Sequence, residues 1–485
     1  MAETKYLYGA AVQGIQSFIF QTNELRDIVG ASELVEQICT KAFEEFGMDG
    51  ENGEAVVTAA GNIKYIFNKR EDCKKAVLEF PKKVMEMAPG ITISQAVVKM
   101  EGEFTEFKNA VNKLEEKLRA QRNKPMPSMT LGLMAIERNR KTGLPAVKVK
   151  DGEFLDQGTS AKKERDENAN DRLCEKAFGI KNINHRRFAH DIEKITTKND
   201  WIAIIHADGN GLGKIIQKIG EDNEKLKNFS KNLDEATKNA AQEAFHYIDY
   251  HLHALKGNII PIRPVVLGGD DFTMICRADF AVEYTKAFMK AFEYETEKMG
   301  HKLTACAGIA FIKSSFPFYY GYNMAESLCE TAKKDAKSID KDLAPSCLMF
   351  HKIQDSFVTD FNAITERELT PQKGISWNFG PYYLNDTEDR WCIEDLMAQV
   401  ISLDSEEGNA VKSAIREWMS AMHRDDGYAE QLLKRAEAVA GKSAVATLKA
   451  ATQCTRTIKQ KEENLNAYPA YDILSLHSVI YQETK

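Results

Sequence analysis

The sequence predicts an α+β protein: a ferredoxin-like unit that occurs twice, followed by a C-terminal α-helical domain. Three observations lead there. The order strand, helix, β-hairpin, helix, strand is readable over residues 5–98 and again over 201–312. The two hairpins, VVTAAGNIKYIF (56–67) and VVLGGDDFTMIC (265–276), align without a gap. Beyond about residue 356 the pattern turns helical.

In the first unit, residues 5–12 read as a strand. Leu34, Val35, Ile38, Cys39, Ala42, Phe43 and Phe46 then fall at helical spacing over 33–46, with Gly47 as a stop. The hairpin at 56–67 has a small-residue turn. A helix over 71–87 and a strand at 91–98 complete the unit. In the second unit WIAIIHAD (201–208) is a strand running into a glycine-rich turn. A long helix follows over 229–256, with Gly257 at its end. The hairpin at 265–276, a helix at 280–299 and a strand at 303–312 repeat the earlier order, and a further helix spans 322–337. Laying one hairpin on the other places the turn AAGN (59–62) on GGDD (268–271), as expected of an internal duplication. Only the second copy carries carboxylates at the turn.

Residues 137–199 are polar and charged and read as a linker or insertion. The expected division is therefore 1–136, 137–199, 200–355 and 356–485. The last part has helices near 393–421, 428–440 and 442–464 and one more within 468–481. About three units fit a chain of 485 residues. A net charge of −7 argues against direct, non-specific nucleic-acid binding. No apolar run reaches the roughly 20 residues that span a bilayer. The N-terminus has no signal-peptide pattern. A cytoplasmic location without a membrane partner is expected. The nine cysteines form no C-x-x-C pair, so free thiols are expected rather than a zinc site.

Two motifs carry chemistry. In IIHADGNGLGK (204–214), Asp208 ends a buried strand, and Gly209, Asn210, Gly211 and Gly213 form a turn that lets backbone amides approach phosphate oxygens. Lys214 follows it. In VVLGGDDF (265–272), Asp270 and Asp271 sit at a hairpin tip behind Gly268 and Gly269. Adjacent carboxylates there are unfavourable without a cation. Mg²⁺ prefers one or two carboxylates plus substrate phosphates. A plain turn would favour Asp-Gly or Asn-Gly over Gly-Gly-Asp-Asp. Asp208, Asp270 and Asp271 are thus the candidate catalytic and metal set, for Mg²⁺ or Mn²⁺ acting on a nucleoside triphosphate. Lys333 or Lys337 could reach triphosphate oxygens from the following helix.

At these residues the chain resembles the large, polymerase-like subunit of type III CRISPR effector complexes. The resemblance rests on GAAVQGIQSFIF (9–20), ADGNGLG (207–213), LGGDDF (267–272), AGIAFIK (307–313) with Pro317, and GPYYL (380–384). It implies two palm domains, the first degenerate and the second catalytic, with ATP bound between them. It also implies 3′-to-5′ joining of ATP into cyclic oligoadenylate, and partners among other effector subunits with guide and target RNA. By the same resemblance Asp208, Gly209, Asp270 and Asp271 hold the metal, and the backbone near Gly209 and Gly269 approaches the phosphates. Many members carry an HD nuclease ahead of the first palm and a cysteine zinc motif between the palms. Neither pattern is present here, and His190-Asp191 is read as coincidence, so DNA cleavage is not expected. Two other readings compete. GGDDF differs by one residue from the GGDEF of diguanylate cyclases, which have one palm per chain and pair two chains. A scaffold subunit with an idle palm is the non-enzymatic alternative.

Overall fold

The computed structural model describes residues 4–481 except 40, 48–52, 60, 103–105, 125–134, 165–166, 181–188, 190–191, 197–200, 220–222, 253–258, 356–359, 373, 388 and 461–462. Ala60 of the first turn, His190-Asp191 and Gly257 lie outside these residues.

The first palm is built from β1 (Lys5–Gln13), α1 (Ile15–Ile19), α2 (Leu25–Cys39), α3 (Lys41–Glu44), β2 (Gly53–Ala59), β3 (Asn62–Phe67), α4 (Arg70–Met87) and β4 (Thr92–Met100). Its sheet order is β2-β3-β1-β4. Strand β1 alternates: Tyr8, Ala10 and Val12 enter the main core, while Leu7 packs on the opposite face. There α5 (Phe107–Arg122) covers it with Ala110, Leu114 and Leu118.

The second palm begins with β7 (Trp201–Asn210), after elements of the intervening segment given below. It continues through α8 (Leu212–Ile219), α9 (Asn223–Leu252), β8 (Ile262–Gly268), β9 (Asp271–Arg277), α10 (Ala281–Lys298), β10 (Thr304–Lys313), α11 (Phe318–Ile339) and β11 (Cys347–Lys352). The order β8-β9-β7-β10 repeats that of the first palm and extends through β11 and β13 (Tyr382–Tyr383). The duplication reaches into detail. Ala59 pairs with Asn62 as Gly268 pairs with Asp271. Both hairpins shift register at equivalent places, between Ala55 and Val57 and between Pro264 and Val266. The left-handed glycine differs, Gly61 in one turn and Gly269 in the other.

Three expectations need correction. The first helix does not begin near residue 33 and run to 46. It starts at Leu25, and helical residues stand on both sides of residue 40, through Cys39 and from Lys41 to Glu44. Gly30 lies within α2, where a Cβ would be 2.4 Å from the Lys162 carbonyl oxygen, so the glycine permits close approach. The segment 137–199 is more than a linker. It forms β5 (Ala146–Lys150), β6 (Glu153–Asp156), α6 (Gln157–Lys163) and α7 (Glu167–Phe178). Lys162 is buried, and its ammonium donates to the Phe18 carbonyl (2.6 Å) and to Gln21 Oε1 (3.0 Å). Phe178 stacks on Phe245 of the second palm with centroids 4.2 Å apart. The charges that suggested a linker lie on the outside, as in the Lys163 pairs with Glu24 and Glu153.

The C-terminal part is not wholly helical. It contains α12 (Phe361–Arg367), β12 (Ile375–Ser376), α13 (Ile393–Ser402), α14 (Glu406–Met422), α15 (Asp426–Val439), α16 (Lys442–Gln453), β14 (Arg456–Gln460), β15 (Glu463–Ala467) and α17 (Ala470–Ile480). The helix expected over 442–464 ends at Gln453, and the β14–β15 hairpin joins β12 in a three-stranded sheet. Among the described residues no helix is long and apolar enough to cross a membrane. The described cysteines are all free.

Candidate active site

Strand β7 lies inside the six-stranded sheet, and its residues Ile202 to Ala207 are buried on both faces, which is why WIAIIHA is apolar apart from His206. Asp208 comes where this strand reaches the sheet end, opposite Cys306 of β10. On its other side Ala207 pairs with Phe272 of β9, which places Asp208 beside Asp271, the first residue of that strand. A Cβ added to Gly209 would lie 3.1 Å from the Asp270 Cβ, so the glycine admits the second carboxylate. The three carboxylates meet at one sheet edge, as the motifs require.

Helix α9 braces the hairpin tip. Thr237 Oγ1 donates to the Gly269 carbonyl (2.5 Å), and the Gly269 amide donates to Asp234 Oδ1 (3.4 Å). Gly269 takes a φ of 62°, left-handed, which a side chain would resist. Removal from water raises the Asp270 carboxyl well above its usual range, and the charges of Asp208 and Asp271 add to this. Asp271 is solvent-exposed at the mouth yet enclosed by protein below. Desolvation first, then Asp208, push it up to about 6, with Lys333 opposing. Lys333 of α11 forms an ion pair with Asp208. Burial alone would lower the Lys333 pKa, but Asp208 outweighs it and the net shift is upward.

The other expected residues divide. Gly268 lines the cleft beside Asp271. The expected turn over 209–213 is shorter than read: Gly209 and Asn210 continue β7, Gly211 with a φ of 84° makes the turn, and the open Gly213 lies at the start of α8. The Asn210 side chain turns into the sheet and donates to Thr304 Oγ1 (3.1 Å) and Cys306 Sγ (3.2 Å), so it holds β7 to β10. Lys214 is held by Asp342 and by the Lys341 carbonyl (3.0 Å). Lys337 is exposed on the last turn of α11. Among the described residues no group of three His, Cys, Asp or Glu is already arranged to hold a metal ion. The chemistry of the donors still fits a divalent cation: clustered carboxylates whose charge is uncompensated except by one lysine, with room for phosphate oxygens to complete the shell.

A cleft of about 1020 Å³, counting its open mouth, runs from Asp271 between the two palms. Gln16 and Phe20 of the first palm line it, with Ser32 of α2, Lys176 of α7, and His206 and Tyr322 of the second palm. Sequence reasoning did not pick out these residues as a site. Ser32 Oγ donates to the Val265 carbonyl, and Phe20 stacks on Tyr322 at 4.6 Å, so the palms are joined beside the cleft. Lys176 donates to the Leu267 carbonyl (2.9 Å). His206 is held neutral: burial pulls it down to about 4, against the pull of Asp208. Its Nδ1 lies 3.2 Å from Thr273 Oγ1.

No curated protein matches the sequence. Residues 201–342 match the family model for Cas10/Cmr2, second palm domain. Among solved structures, a Csm1–Csm4 cassette in complex with pppApApA is similar with a TM-score of 0.61, at 14% identity over 99% of this chain and 70% of that one. The cassette in complex with cA4 gives 0.56 at 16% identity, again over 99% and 70%. Csm1 in T. onnurineus gives 0.55 at 15% identity with the same coverage. At such identity these likenesses establish the fold. Residues 201–342 thus match a Cas10/Cmr2 second palm domain, and the chain as a whole has a fold similar to that of Csm1.

Proposed function

We propose that this chain is a metal-dependent nucleotidyl cyclase that joins ATP into cyclic oligoadenylate. The observation that carries the reading is the meeting of Asp208, Asp270 and Asp271 at the sheet edge, opening into a cleft between two palms of one chain. The similar Csm1–Csm4 cassettes are described in complex with pppApApA and with cA4, which supports the choice of substrate and product. Two palms in one chain, only one with carboxylates, favour this over pairing of two single-palm cyclases.

In this reading Asp208, Asp270 and Asp271 would hold Mg²⁺ or Mn²⁺, with the Gly209 carbonyl as a further ligand. When bound, the ions supply charge neutralisation at the phosphates and a lowered pKa for the attacking hydroxyl. Lys333 exchanges its bond to Asp208 for triphosphate oxygens. Gly268 and Gly269, lacking side chains, let the backbone approach the phosphates. The 3′-oxygen of one nucleotide attacks the α-phosphorus of the next, the bond to pyrophosphate breaks, and the hydroxyl proton leaves to solvent. The first palm closes the cleft and orients the bases. The likeness to Csm1–Csm4 cassettes supports a place beside another effector subunit, and the resemblance of the sequence motifs adds guide and target RNA.

The test is incubation of the purified chain with each of four nucleoside triphosphates and Mg²⁺ or Mn²⁺, with and without effector subunits and target RNA, read by mass spectrometry. Cyclic oligoadenylate from ATP, absent for Asp270→Ala/Asp271→Ala, is the expected result. Cyclic dinucleotide from GTP alone would overturn the assignment of substrate.

A further inference from the structure

We propose that a second cavity, between α11 and β14, is a phosphate-binding site separate from the carboxylate cleft. It encloses about 1390 Å³ counting its open mouth. Lys334, Arg390, Arg456 and Lys459 line it against two acidic residues, Asp335 and Glu366, a formal excess of two positive charges. Asp335 already accepts from Arg456 Nη2 (2.5 Å), from Arg390 Nε (3.3 Å) and from the Tyr383 hydroxyl, so one carboxylate is shared between two guanidinium groups.

Arg456 is the second, independent observation. Its side chain is only 8% exposed, and its Nε and Nη1 are buried with no acceptor among the described residues. Buried guanidinium N–H groups without acceptors are unfavourable and rare. Burial pulls this guanidinium's pKa down and the neighbouring Arg390 adds to that, while Asp335 opposes. An incoming anion would relieve the strain of two close cations. A phosphate suits the site better than a carboxylate. Its charge of about −1.5 to −2 matches the excess, and its three oxygens accept forked guanidinium bonds. Lys334 and Lys459 are exposed at the rim and long enough to close over the ligand. Among the described residues strand β14 is paired on one side only, by β15, and it lies along the cavity from Arg456 to Gln460. Helix α11 serves both sites, since Lys333 reaches Asp208 while the next two residues line this cavity.

The test uses the full chain in EDTA at constant ionic strength, reading melting temperature against inorganic phosphate, pyrophosphate and AMP. A saturable rise is expected for wild type and equally for Asp270→Asn/Asp271→Asn, which disables the carboxylate cleft. Arg456→Gln should weaken the apparent affinity by about tenfold or more. Lys459→Gln and Lys334→Gln, both at exposed positions that carry no folding risk, should weaken it several-fold. A rise with inorganic phosphate identifies the free ion as ligand, and a rise with AMP alone identifies a nucleotide phosphate; either supports the site. No rise with any probe would overturn it, as would a rise unchanged in Arg456→Gln, Lys459→Gln and Lys334→Gln, or one lost in the cleft variant.

Discussion

Asp270 and Asp271 stand where their own charge is unfavourable, and the consequences can be measured without substrate. Their folded pKa values are raised above the ordinary 3.8, so the folded state favours their neutral forms. That contribution to stability is fully present below the unfolded value and is lost as pH rises through about 6 to 7. In chelator at pH 8, Asp270→Asn/Asp271→Asn should therefore be more stable than wild type, by roughly 1–2 kcal/mol after allowance for solvent at the mouth. The gap should shrink towards pH 5 in urea titrations. The same double substitution should remove at least about a thousandfold of any nucleotidyl-transfer rate, since it strips the site of its metal ligands. Lys333→Met tests another side chain. If Lys333 moves to the triphosphate, KM for ATP rises by about tenfold or more. An unchanged KM would leave it as a partner for Asp208 alone.

At the scale of elements, the position of α11 decides where Lys333 arrives. Helix and sheet are close because Gly308 of β10 has no side chain: a Cβ there would lie 1.9 Å from the Ala325 carbonyl oxygen. Gly308→Ala should cost about 3 kcal/mol in stability, and it should lower activity by shifting α11. Strand β11 offers a cleaner titration. His351 is buried beside Phe361 and Tyr471, and burial pulls its pKa from 6.5 down to about 4. The folded state keeps it neutral, so stability is lost as pH falls from about 6.5 towards 4. Between pH 7 and 5 wild type should lose about 2 kcal/mol more than His351→Phe. The strands and hairpins were legible because their signals are local: apolar runs, turn residues, glycine placement. The start of the first helix was missed because Gly30 sits inside it for contact with Lys162, far along the chain. The segment 137–199 misled because its surface charges outnumber the few residues, such as Leu173, Cys174 and Phe178, that it buries. The β14–β15 hairpin is half-exposed and polar, and composition alone does not separate it from a helix.

At the scale of the whole molecule, the carboxylates were legible and the cleft was not. Asp208 and the GGDD turn announce themselves through residue type and spacing. The partners in the first palm do not, because Phe20 meets Tyr322 and Ser32 meets Val265 only when the two copies pack. Phe20→Ala should thus separate two effects. It leaves the carboxylates in place, costs about 3–5 kcal/mol in stability, and raises KM for ATP by loosening the cleft wall. Enzyme assays below the melting temperature would show that split.

The central claim is that Asp208, Asp270 and Asp271 form one metal–nucleotide site between the palms. Calorimetric binding of a non-hydrolysable ATP analogue, with and without Mn²⁺, tests it without requiring any activator. The account predicts binding that depends on Mn²⁺ and weakens by about tenfold or more in Asp270→Asn/Asp271→Asn. Equal affinity in wild type and variant, or binding indifferent to Mn²⁺, would contradict it.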